Sequence, residues 1–172
     1  MTRCALLFVG ILFVGFFSIA LIASYACAQT SNPTTATTNY WTKGANSVIP
    51  KMESAYTSIG DKIYIIAGYG ETGKRNKNSV EVYDTKADSW ITAAPVPENL
   101  NHASAATFNG KIYLVGGFLD NKIPSNKLFI YDPSTNQWTE GKSMPTARAA
   151  LTAQFVNGIL YAVGGTADGP LK

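Results

Sequence analysis

The chain has 172 residues, 14 Lys+Arg against 11 Asp+Glu and a net charge of +3. That length suits one ordinary domain, and so small a positive surplus is no nucleic-acid footprint. One histidine, His102, and two cysteines, Cys4 and Cys27, argue against a histidine-rich metal site and against a disulfide framework.

The N-terminus differs from everything after it. Arg3 is the only charged residue before Lys43, and the run from Ala5 to Ala23 is almost wholly apolar. A basic start, an apolar stretch and then small residues predict a secretory signal over 1–28. Ala26-Cys27-Ala28 has the small side chains of a cleavage site, so Gln29 would begin the mature chain. Two other outcomes stay open. An apolar run of about 20 residues can span a bilayer as an uncleaved anchor. Cys27 also stands where a lipidated cysteine would, although Ser24 occupies a place usually given to a branched apolar residue. All three routes export the rest of the chain. Cleavage removes one of the 14 basic residues and none of the 11 acids, leaving a net charge of +2. It also removes both cysteines, so the mature domain has no thiol chemistry and must hold together by packing.

Residues 29–39 are polar, Thr-rich and interrupted by Pro33, the composition of a linker. From Tyr40 onward the chain repeats. Tyr64, Tyr113 and Tyr161 stand 49 and 48 residues apart, each following a tight turn. Each is followed at one offset by small residues: Ala67-Gly68, Gly116-Gly117 and Gly164-Gly165. Tyr83-Asp84 and Tyr131-Asp132 are 48 apart, and Trp90 and Trp138 each lie seven residues beyond their tyrosine. Shared periods of this length come before any reading of single elements.

Within each period the pattern is β. Residues 62–67 and 111–116 are short apolar runs rich in branched and aromatic side chains, bounded by glycine. Asn109-Gly110 and Asn157-Gly158 are hairpin dipeptides of the type I′ turn. Residues 79–84 alternate as a half-buried strand does. Four strands in about 48 residues is the size of a propeller blade. No helical period of useful length follows Gln29. The expected organisation is a blade over 51–98, a second over 99–146, a partial blade over 147–172, and a possible closing strand at 40–43.

The landmarks Tyr113, Gly116-Gly117, Tyr131-Asp132 and Trp138 resemble the kelch-repeat family of β-propellers, here of an exported, bacterial type. The resemblance covers residues 40 to about 168 and departs once, with Ala67 for the first glycine of the pair. It implies an all-β fold of four-stranded antiparallel blades in which Tyr64, Gly68, Tyr83, Trp90, Tyr113, Gly116, Gly117, Tyr131, Trp138, Tyr161, Gly164 and Gly165 serve packing. A ring of six or seven blades is implied too, so a chain with two full repeats reads as a fragment. The third repeat stops before its Tyr-Asp and Trp strands. Isolated residues 29–172 are therefore expected to associate or fold only in part.

Catalytic signals are few. Gly68 to Lys74 is glycine-rich but has neither the spacing nor the strand-to-helix setting of a phosphate loop. No catalytic residue, metal or cofactor is expected. In propellers, ligands meet the loops at the channel mouth. The position 11 before each landmark tyrosine holds Glu53, His102 and Ala150, and the position five after it holds Tyr69, Phe118 and Thr166. Peptide-binding kelch domains often carry arginine at the first of these positions, so their preference for acidic peptides does not transfer. Glu53, Tyr69, His102 and Phe118 are the candidate ligand-binding residues. The expected role is a noncatalytic module for a protein or glycan, touching membrane only through its N-terminus. The alternative is a fragment of a secreted carbohydrate enzyme. Resemblance points there to a sialic-acid mutarotase, and less to a galactose oxidase, whose copper site needs more histidines and a cysteine.

Overall fold

The computed structural model describes residues 41–70, 78–120 and 122–167. The signal, its cleavage site, the linker and Tyr40 lie outside the described residues. The chain divides into compact units at Met1–Trp41 and Thr42–Lys172, and the second holds all of the repeats. Residues 41–43 carry no strand pairing.

Among the described residues the structure is all-β. Blade 1 comprises β2 (Ala55–Ile59), β3 (Lys62–Ile66), β5 (Val80–Asp84) and β6 (Ser89–Ala93). They form one antiparallel sheet in that order. Two short strands, β1 (Lys51–Met52) and β4 (Tyr69–Gly70), pair beside it. Blade 2 repeats the plan with β7 (Ser104–Phe108), β8 (Lys111–Val115), β9 (Leu128–Asp132) and β10 (Gln137–Glu140). The third repeat is a hairpin of β11 (Ala149–Val156) and β12 (Ile159–Thr166).

The local reasons are visible in the chain. Asn109 and Gly110 have φ of 47° and 72°, and Asn157 and Gly158 have 50° and 77°. Positive φ at both central residues makes the turn whose twist matches paired strands. Gly116, at φ 63°, admits no side chain, since a Cβ there would lie 2.3 Å from the Arg148 carbonyl oxygen. Ala67, its counterpart in blade 1, holds φ 56° with its methyl buried. The first strands of the three repeats stand side by side. Thr57 Oγ1 and Thr107 Oγ1 are hydrogen-bonded at 2.8 Å, and the Ala153 N–H donates to Ser104 Oγ at 2.8 Å.

The core lies between the blades. Ile66, Val80, Val82, Val96 and Leu100 pack with Ile112, Leu114 and Phe129 in one buried cluster. Burial of a branched or aromatic side chain contributes about 1.5–3 kcal/mol, so this seam holds the repeats together. Tyr64 and Tyr131 are buried and meet edge to face at 6.1 Å. Tyr83, Trp90, Tyr113 and Trp138 are half-buried. Tyr161 differs. It is 47% exposed on β12, a strand whose second edge has no paired strand among the described residues. Val156, Ile159 and Val163 of the same hairpin are exposed as well.

The landmark aromatics do more than pack. Trp138 Nε1–H donates to the Ala94 carbonyl at 2.8 Å, and the Ala94 N–H donates to Asn136 Oδ1 at 2.8 Å. The Tyr131 hydroxyl donates to that same Asn136 oxygen at 2.8 Å. Blade 1 has the same clamp. Trp90 Nε1–H donates to the Ala45 carbonyl at 2.9 Å, the Ala45 N–H to Asp88 Oδ1 at 2.6 Å, and the Tyr83 hydroxyl to Asp88 Oδ1 at 2.5 Å. These bonds hold the Asp88 carboxyl below its ordinary range, the Tyr83 hydroxyl contributing most. Each blade thus grips both backbone polar groups of one residue in the segment that precedes it.

Glu81 departs from the alternation of its strand. Val80, Glu81 and Val82 are all buried. Residues 47–51 cover the blade there. Ser47 Oγ donates to the Glu81 carboxylate at 3.1 Å, the Ile49 N–H at 3.2 Å, and Lys51 Nζ lies 3.5 Å away. Lys51 also donates to the carbonyls of Ile65 at 3.4 Å and Ser79 at 3.3 Å.

Candidate functional site

The residues entering each inner strand have an unusual backbone. Glu53, His102 and Ala150 hold φ of 58°, 50° and 55°. Left-handed conformation costs a residue other than glycine about 1–2 kcal/mol. The next repeat holds the first two in place: the His102 N–H donates to the Glu53 carbonyl at 3.0 Å, and the Ala150 N–H to the His102 carbonyl at 2.8 Å. A hydrogen-bonded chain therefore crosses all three repeats. Strained residues fixed by their surroundings are the kind that mark binding sites.

The positions after the glycine pair stand beside them. The Gly68 N–H donates to the Leu100 carbonyl and the Gly117 N–H to the Arg148 carbonyl, at 2.8 and 2.9 Å. Gly117 allows no more room, since a Cβ would lie 2.8 Å from the Asn101 carbonyl oxygen. Phe118 and Asn101 bond through both backbone groups, at 3.1 and 2.8 Å. This close approach carries Phe118 against His102, ring centroids 5.6 Å apart and edge to face.

Together these residues surround a cavity of about 490 Å³. Glu53, Tyr69, His102 and Phe118 all line it, and so do Ala150 and Thr166. Counting fixed offsets from the landmark tyrosines thus picks out residues that share one cavity. Sequence reading passed over Met52, Leu119, Asp120 and Lys122, which also line it. The last three follow Phe118 on the loop before β9, where the repeats differ in length and no offset could find them.

His102 Nδ1 lies 2.8 Å from Asn101 Oδ1 and 3.3 Å from Glu53 Oε2. Both oxygens thus lie beside the same ring nitrogen. Asp120 Oδ2 accepts from Asn99 Nδ2 at 3.1 Å. No cluster of three or more metal-ligating side chains occurs among the described residues. The arrangement offers aromatic faces and carboxylates.

The chain matches the KLHDC2/KLHL20/DRC7 Kelch-repeats domain over residues 27–171. It belongs to the kelch-repeat family. Among similar proteins, Kelch-like protein terF of Aspergillus terreus is 38% identical over 71 residues, covering 40% of this chain and 16% of that protein. Kelch-like protein 15 of Danio rerio is 35% identical over 79 residues, 46% of this chain and 13% of the relative. Alpha-scruin of Limulus polyphemus is 30% identical over 88 residues, 51% of this chain and 10% of the relative. The matched kelch segment is thus a small part of each relative's length. All three relatives are eukaryotic and give no support to a bacterial-type source.

Proposed function

We propose that this kelch chain is a noncatalytic protein-interaction module, exported by its N-terminal segment, whose ligand meets the cavity lined by Glu53, Tyr69, His102 and Phe118. One observation carries the reading. Three repeats contribute residues to one cavity, and the left-handed positions that shape it are joined by backbone hydrogen bonds. A concave site with aromatic walls and a few convergent polar groups is the usual form of a binding pocket. Export is supported by the sequence alone: the basic start, the apolar run and Ala26-Cys27-Ala28.

Site-specific photo-crosslinking tests the site. A photoreactive residue at Tyr69 should crosslink a partner, and one at Lys86, in the turn between β5 and β6, should not. Equal crosslinking at both places would defeat the reading. N-terminal sequencing of the processed chain tests export, with Gln29 as the expected first residue.

A further inference from the structure

Resting on that reading, we infer that the ligand presents a cationic side chain, a lysine or arginine of a partner protein, to this cavity. Among the described residues, the cavity's ionisable lining is Glu53, Asp120, His102 and Lys122, with Tyr69 and the buried Phe118 beside them. Two carboxylates against one lysine leave the described part of the wall acidic. A charge on His102 would be met by Glu53, which its Nδ1 already contacts at 3.3 Å. An anionic ligand would therefore meet two carboxylates, with Lys122 to offset them among the described lining residues. A cationic side chain finds the reverse: the half-buried Tyr69 ring, which attracts it through its quadrupole, and carboxylates that pair with it. Glu53 is 38% exposed at its side chain, open enough to receive a partner and shielded enough to keep part of its field.

The test is an NMR titration of the full-length chain in neutral detergent at low ionic strength. The probes are acetyl-Gly-Arg-Gly-amide, its glutamate counterpart and lactose. The arginine peptide should shift the ring signals of Phe118 and Tyr69 saturably, and E53Q should weaken that binding about two- to fivefold, the span of a partly exposed ion pair. D120N should act in the same direction and carries the test if E53Q disturbs folding. Equal or tighter binding of the glutamate peptide or lactose at the same rings would overturn the cationic assignment and leave the cavity reading intact. So would arginine-peptide binding that neither variant weakens. Shifts confined to residues away from the cavity would overturn both. Complete absence of shifts with the arginine peptide overturns the ligand class, and crosslinking at Tyr69 then decides the site.

Discussion

Lys51 and Glu81 are buried beneath the segment that covers blade 1, and each side chain is only 2% exposed. Leu100 and Phe129 hold the corresponding places in blade 2 and belong to the apolar seam. Blade 2 has a lysine–glutamate pair of its own, Lys127 with Glu98, but that one is only partly buried, with Glu140 3.8 Å from the lysine. Clamp, strand order and register are shared, so backbone hydrogen bonds and turns set the architecture. What fills the seam differs between the blades. In blade 1 Glu81 and Lys51 have four polar partners beyond the pair itself: Ser47, Ile49, Ile65 and Ser79.

The difference can be broken in steps. The largest effect should come from K51M, which leaves the Glu81 carboxylate buried without its cation. One-sided removal costs about 3–5 kcal/mol, read as a lower urea midpoint at constant slope. Next is G116A. The added Cβ would press on the Arg148 carbonyl oxygen, costing about 1–3 kcal/mol by overpacking and strain. G164A, where a Cβ meets nothing within 4 Å, should cost less. If G164A proves as harmful as G116A, close packing is not what the first glycine provides.

Loss of the clamp should be smaller. N136A removes the acceptor shared by the Ala94 N–H and the Tyr131 hydroxyl. About 1–2 kcal/mol is expected from thermal melts, and D88A should show a similar loss in blade 1. Equal stability of both variants and wild type would reduce the clamp to a packing contact.

The pH dependence sharpens the same contrast. Burial pulls the Lys51 ammonium below its ordinary 10.5, with Glu81 opposing. The unfolded chain then binds more protons than the folded one just below pH 10.5, so stability should rise with pH through that window. K51M should abolish the rise. On the exposed side, Asp132 is held at about 2 by Ser134 and then Lys111. Its contribution is complete above the ordinary value of 3.8 and is lost as pH falls through about 2. A D132N variant should lack that acid-side loss.

Much of this was legible in the chain. Asn109-Gly110 and Asn157-Gly158 announced their hairpins, because few dipeptides adopt positive φ twice. The 48-residue recurrence of Tyr-Asp and Trp gave the blades. Fixed offsets found Glu53, His102, Tyr69 and Phe118, since equivalent positions in stacked repeats come together. Three things were not legible. Glu81 follows a solvent-side pattern and is buried only because residues 47–51, distant in sequence, lie over it. Asp88 and Asn136, both with left-handed backbone at φ 48° and 54°, look like ordinary turn residues. Their shared spacing two before each tryptophan was the available signal. Tyr161 obeys the tyrosine period yet is exposed, because burial depends on the neighbouring strand and not on the period.

The exchange of one seam for the other tests the account most directly. K51L and E81F alone should each be destabilising, since each strands a buried charge. The double variant K51L/E81F copies Leu100 and Phe129 of blade 2. Measured by urea unfolding, the double variant should recover to within about 1 kcal/mol of the wild type, as buried pairs replaced by apolar residues commonly do. A double variant as unstable as the sum of the two singles would show that the blades are not interchangeable at this seam, and the shared-architecture account would be wrong.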